Sequence, residues 1–219
     1  MVDLHIHTVA TPHHASWEPE ALAAAAAARG LTAIAAADHN TTASVRALRE
    51  AGRRHGVRVV SGVELDSAFG GKLWHTLVYG ADPEAPELVA LCAAVFERNA
   101  EDARRLSVEL PARGFRLEGL DALGRAQNVA DVATALARQN RLPGRVPGEG
   151  DEEAGMRFLL TELRGAYRPV GVDEVAAVAH GLGAVAVLAH PGRSKGIYAV
   201  PAGDADLEAM VEAGLDGVE

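Results

Sequence analysis

Residues 3–8 read Asp3-Leu4-His5-Ile6-His7-Thr8, and no other segment constrains the chain as strongly. Side chains alternate along an extended strand, so His5 and His7 project from one face and can chelate a single cation. Four further segments repeat the pattern of a short apolar run ending in a residue of ligand type. Residues 33–37 precede Asp38-His39, residues 57–61 precede Gly62-Val63-Glu64, Leu73-Trp74 precedes His75, and residues 185–189 precede His190-Pro191-Gly192. The expectation is a metal site assembled from strand ends.

Helical patterns separate these runs. Pro19 to Arg29 reads as a helix closed by Gly30, and Thr42 to His55 as one stopped at Gly56. Strand, helix and strand in alternation predict parallel strands covered by helices, with ligands at the carboxyl ends where such sheets and barrels place their sites. A chain of 219 residues suffices for one such domain or one with an insertion. Hydrophobic residues make up 48% and aromatics only 4%, so the core rests on Ala, Val and Leu.

The alternation fails from Asp82 to about Tyr167. Glu84 to Leu110 and Gln127 to Gln139 read as helices without intervening strands, which makes residues 82–167 a helical insertion between barrel segments 1–81 and 168–219. Residues 141–155, rich in Gly, Pro and acid, read as a mobile loop. The alternation resumes with a helix over Val172 to His180, a strand over Ala184 to Ala189, a helix over Ala205 to Ala213 and a last strand starting at Asp216.

A net charge of −9 argues against general affinity for nucleic acid, while leaving a small anionic substrate open. The single cysteine, Cys92, forms no intramolecular disulfide and reads as a buried, inert thiol. With neither a signal peptide nor a membrane-length apolar run in view, the expected location is the cytoplasm.

DLHIHT, ADHN, GVEL, the histidine of LWHTLVYG and LAHPGR follow the order and approximate spacing of the polymerase and histidinol phosphatase (PHP) family, which the chain resembles from end to end. The resemblance implies a distorted α/β barrel, of the (β/α)7 type, holding two or three divalent metals that hydrolyse phosphate esters. It is strongest to the stand-alone bacterial phosphoesterases that act on nucleotides. Imidazole and carboxylate together suit manganese, iron or zinc better than magnesium or calcium. A carboxylate can bridge two cations, which makes Glu64 the natural shared ligand and catalytic residue. Two cations roughly 3.5–4 Å apart would acidify a shared water for attack on phosphorus. The implied metal set is His5, His7, His13, His39, Glu64, His75 and His190, with Asp38 orienting it.

Two departures from the family stand out. The aspartate that many members carry after the first motif is absent, and Thr11-Pro12-His13-His14 stands there, so His13 or His14 replaces it. The family also completes its site with an Asp-x-His pair beyond the final Gly-Val-Glu, whereas this sequence ends at Glu219. The expectation is therefore a truncated chain lacking its last strand, or a site short of two ligands. Arg125, Arg193 and Lys195 are the candidates for a substrate phosphate, while Asn128 occupies a place where relatives often carry histidine. The preferred function is hydrolysis of a small phosphate ester, a nucleotide-type monophosphate or cyclic phosphate. The alternatives are a histidinol-phosphate phosphatase and a metal-binding or sensing module without turnover.

Overall fold

The computed structural model describes residues 1–11, 15–163, 165–192 and 202–219. Its first compact unit comprises Met1–Val95, Val170–Pro191 and Gly203–Glu219; the second comprises Phe96–Pro169 and Gly192–Ala202.

The first unit is a seven-stranded mixed sheet with helices. In chain order it contains β1 (Val2–Ile6), α1 (Pro19–Ala28), β2 (Ala33–Ala36), α2 (Val45–His55), β3 (Arg58–Phe69) and β4 (Lys72–Tyr79), followed by the first turns of α3 (Pro86–Ala112). After the second unit come β5 (Val170–Gly171), α6 (Val172–Gly181), β6 (Val185–Leu188), α7 (Asp204–Glu212) and β7 (Gly217–Val218). The strand order is β1-β2-β3-β4-β6-β7, with β5 paired to β3.

The early elements form for local reasons. Pro19 opens α1, where its missing N–H costs nothing, and Gly56 closes α2 in the left-handed conformation. Leu22, Ala23 and Ala26 of α1 pack with Leu48 and Ala51 of α2 on Ile34 and Ala36 of β2. Alanine on both sides lets these helices lie close to the sheet, so few aromatics are needed.

The sheet departs from the parallel expectation at β4, which runs antiparallel to both β3 and β6. Gly70 and Gly71, with φ of 58° and 75°, form a two-residue turn that only positive-φ residues fit well, and Phe69 pairs with Lys72 across it. Consequently β3 does not stop at Gly62. It runs 12 residues, so Glu64 and His75 lie inside strands and not at their ends.

The sheet curls. β1 and β7 terminate opposite ends of the strand order, yet the ring of His5 in β1 meets the carboxylate of Glu219 just beyond β7. Tyr79 Oη of β4 also donates to the Leu4 carbonyl of β1 at 2.8 Å. This curled α/β sheet agrees with the distorted barrel that the resemblance implies.

The second unit packs the later turns of α3 with α4 (Val129–Gln139) and α5 (Asp151–Glu162) around Leu106, Leu110, Leu136, Phe158 and Leu159. The α4 N-terminus is closed by a reciprocal pair, Asn128 with Asp131. The sequence reading missed α5, whose start falls inside the stretch taken as a mobile loop. Asp151, Glu152 and Glu153 occupy its first turn, where carboxylates favour the helix dipole. The preceding residues are tied down, with Arg157 bonding both oxygens of Glu149 at 2.8 and 2.9 Å and Arg145 reaching Asp151 at 2.7 Å. No helix among the described residues is long and apolar enough to cross a membrane.

Candidate metal centre

Five imidazoles converge on one buried carboxylate in the first unit. Glu64 is 1% exposed, and its two oxygens face different rings. Oε1 lies 2.7 Å from His75 Nδ1 and 3.1 Å from His190 Nε2. Oε2 lies 3.1 Å from His5 Nε2, 3.5 Å from His7 Nε2 and 3.2 Å from His39 Nε2.

Strand register explains the gathering. The β2/β3 ladder extends to a bridge between His39 and Glu64, placing them side by side. His75 stands across from Asp66 in the β3/β4 ladder, two residues from Glu64 and so on its face. His5 and His7 come from β1 and its end, and His190 follows β6, where Ala189 N donates to the His75 carbonyl at 3.0 Å. Asn40 and His190 are the two described non-glycine residues with positive φ, 56° and 36°. Backbone strain of this kind collects where surrounding structure holds a functional geometry.

The donor set fits cations. Glu64 Oε2 has three imidazole nitrogens within 3.5 Å, yet among the described residues none meets it as an aligned hydrogen-bond donor. Buried carboxylate oxygens are seldom left so. Among the described residues two groups of ligand atoms are close enough to share an ion, His5 with His7 and Glu64, and His39 with Glu64 and His75. Glu64 belongs to both. The rings of His7 and His39 stack with centroids 4.9 Å apart.

The electrostatics favour an ionised carboxylate at the centre. Burial pushes the Glu64 carboxyl upwards, but the charges of His75 and His39 and the hydrogen bond from His190 outweigh it and hold the group well below the usual carboxylate range. Burial acts against the charged form of His5, while the nearby carboxylates of Glu64 and Glu219 prevail and raise it to about 9. Burial also raises Tyr79, with the negative charges of Glu219, Glu64 and Asp3 adding to the effect.

Asp38 is 1% exposed and organises the loop after β1. Its carboxylate accepts from Thr8 N and Thr8 Oγ1, both at 2.7 Å, from Thr11 Oγ1 at 3.0 Å, and from Ser44 Oγ. Thr11 Oγ1 in turn accepts from His39 N at 2.9 Å. Asp38 thus orients the backbone that carries His39. Arg125 lies in the second unit, where its guanidinium meets Asp131 through Nη1 at 2.7 Å and Nη2 at 2.8 Å. His13, Arg193 and Lys195 lie outside the described residues.

Two acidic residues at the cluster escaped the sequence reading. Asp66 Oδ1 is 3.3 Å from His39 Nδ1 and 3.4 Å from His75 Nε2. Its signal was present, because Glu64 and Asp66 alternate on one face of a strand, but that strand was expected to end earlier. Glu219 accepts from His190 N at 3.0 Å and lies 3.1 Å from His5 Nδ1. Only the curl of the sheet brings it there.

A curled α/β sheet with a buried carboxylate shared by two histidine groups defines a candidate metal-binding protein. The chain belongs to the PHP domain family, whose model matches residues 3–137. It is 33% identical over 99% of its length to a phosphoribosyl 1,2-cyclic phosphate 1,2-diphosphodiesterase of Eggerthella lenta, covering 81% of that protein. It is 28% identical over 88% of its length to a 3',5'-nucleoside bisphosphate phosphatase of Chromobacterium violaceum, covering 67% of it. Among solved structures, a Bifidobacterium adolescentis protein assigned as a metal-dependent phosphoesterase superposes with a TM-score of 0.74 at 25% identity, over 100% of this chain and 76% of the other. The chain is a phosphoesterase, a hydrolase of phosphate esters.

Proposed function

We propose that this phosphoesterase cleaves a small nucleotide-type substrate, a monophosphate or cyclic phosphate, using two or three divalent cations of manganese, iron or zinc. The observation that carries the reading is Glu64, whose oxygens each face their own set of imidazoles. His5 and His7 would hold one cation with Glu64, and His39 and His75 a second, while His190 and His13 extend the set. Cations bound there would acidify water and neutralise phosphoryl oxygens. In the reaction a water oxygen forms a bond to phosphorus, the ester P–O bond breaks, and the departing oxygen takes a proton. The C. violaceum relative, a nucleoside bisphosphate phosphatase, supports a nucleotide-type ester, and the E. lenta relative, which acts on a phosphoribosyl cyclic phosphate, supports a cyclic one.

The test is a screen of manganese-loaded protein against cyclic phosphates, nucleoside monophosphates and bisphosphates, histidinol phosphate, sugar phosphates and short oligoribonucleotides. Release of phosphate from, or ring opening of, a nucleotide-type ester is expected. Activity confined to histidinol phosphate would replace the proposal with that phosphatase, and activity confined to oligoribonucleotides would replace it with a nuclease. Binding of metal without turnover on any of them would favour a sensing module. Arg125, Arg193 and Lys195 are proposed to meet the substrate phosphate. Arg125→Ala should raise KM with kcat little changed, and an unchanged KM removes Arg125 from that role.

A further inference from the structure

We propose that Asp66 is a positioning residue, holding the outer proton of two imidazoles so that the opposite nitrogen of each presents its lone pair to a cation. The proposal rests on the reading that these imidazoles hold metal. It begins from register, since His75 stands directly across from Asp66 in the β3/β4 ladder and His39 bridges to Glu64 on the other side of β3. Both rings are therefore flanked by two carboxylates of the same strand face. His39 turns Nε2 towards Glu64 Oε2 at 3.2 Å and Nδ1 towards Asp66 Oδ1 at 3.3 Å. His75 turns the other way, with Nδ1 2.7 Å from Glu64 Oε1 and Nε2 3.4 Å from Asp66 Oδ1.

A carboxylate only accepts hydrogen bonds, so the ring nitrogen facing Asp66 is the one that keeps its proton when the ring is neutral. The nitrogen facing Glu64, at the centre of the cluster, is then the ligand atom. The assignment is specific and unequal, with His39 binding through Nε2 and His75 through Nδ1.

Asp66 is itself held. Asn40 Nδ2 donates to Asp66 Oδ2 at 3.0 Å, and Asn40 Oδ1 accepts from Asp66 N at the same distance. This two-point clasp engages Oδ2 and leaves Oδ1 towards both rings. Asn40 is placed by its left-handed backbone, φ 56°, and by its own N–H on the Glu64 carbonyl at 2.8 Å. Asparagine adopts that conformation more readily than most residues. Asn40, Asp66 and the two rings thus form one polar unit behind the atoms that face Glu64.

The test uses the full chain loaded with zinc, a diamagnetic probe, and labelled with 15N-histidine. Long-range 1H–15N correlations should show the remaining proton on Nδ1 of His39 and on Nε2 of His75. The opposite assignment in either ring overturns the proposal. In Asp66→Ala, zinc affinity by chelator competition should fall about 10- to 100-fold at unchanged stoichiometry, the range typical of groups behind a metal ligand. If Asp66→Ala does not fold, Asp66→Asn serves, because its amide oxygen still accepts the N–H bond; its loss should be smaller than tenfold. Asn40→Gly tolerates the positive φ while removing the clasp, and should also weaken zinc without displacing an equivalent. Unchanged affinity in the Asp66 variants overturns the proposal, and so does loss of one zinc equivalent, which would make Asp66 a ligand. Failure of the unsubstituted protein to bind zinc would overturn the metal-site reading, and this inference with it.

Discussion

Glu64→Gln is the sharpest perturbation available, because it keeps volume and removes the one charge shared by both histidine groups. Glu64 is 1% exposed, and its oxygens lie 2.7–3.5 Å from five ring nitrogens. A unit charge about 3 Å from another is worth about 5 kcal/mol at an effective dielectric of about 20. That corresponds to more than about three orders of magnitude in binding at each cation the carboxylate touches. The amide keeps one oxygen acceptor but introduces an N–H donor among imidazoles that must offer lone pairs. Metal content after gel filtration, measured by elemental analysis, should therefore fall to a small fraction of wild type. Circular dichroism should show a retained fold, since the side-chain volume is unchanged. Wild-type metal content in a folded Glu64→Gln protein would refute the shared-carboxylate reasoning.

Other outcomes follow from the packing and the ionisable groups. A Cβ at Gly155 would fall 2.0 Å from the Ala133 carbonyl oxygen, so Gly155→Ala should destabilise the α4/α5 contact by about 1–3 kcal/mol; an unchanged melting temperature would count against so close a crossing. The Asp216 carboxyl is held below its usual range by the Ala186 N–H and by His180, at 2.8 and 2.9 Å. Its stabilising contribution is therefore full above the unfolded carboxyl pKa of about 4 and is lost as pH falls through the lower folded value; Asp216→Asn should flatten the acid limb of a pH–stability curve. Burial pushes the Cys92 thiol up to about 11, so alkylation of the native protein at pH 8 should be slow and should rise about tenfold per pH unit towards that value. Rapid labelling at pH 8 would place Cys92 in an open environment.

Much of the site was legible in local patterns. His5 and His7 share a face because strand side chains alternate, and that holds wherever the strand goes. His39 and His190 could be marked because each follows an apolar run and precedes turn chemistry. Helix ends at Gly30 and Gly56 were readable for the same reason, since only the chain's immediate neighbours decide whether a positive φ is needed. The family resemblance then supplied Glu64 and His75 as members of one set, before any contact between them was visible.

Tertiary structure decided the rest. The Gly70-Gly71 turn folds β4 back on β3, so Glu64, Asp66 and His75 face one another across an antiparallel ladder instead of ending separate parallel strands. Asp66 carries the same alternation signal as His5 and His7, yet its partners lie on another strand and on the bridge beside it. Glu219 is 214 residues from His5, and the two meet only because the sheet curls its first and last strands together. α5 went unread because acid and glycine that suggest a loop also serve a helix N-terminus, where the dipole favours carboxylates. Short-range periodicity determines which residues share a face; the twist and curl of the assembled sheet determine which faces meet, and that depends on packing summed over the whole domain.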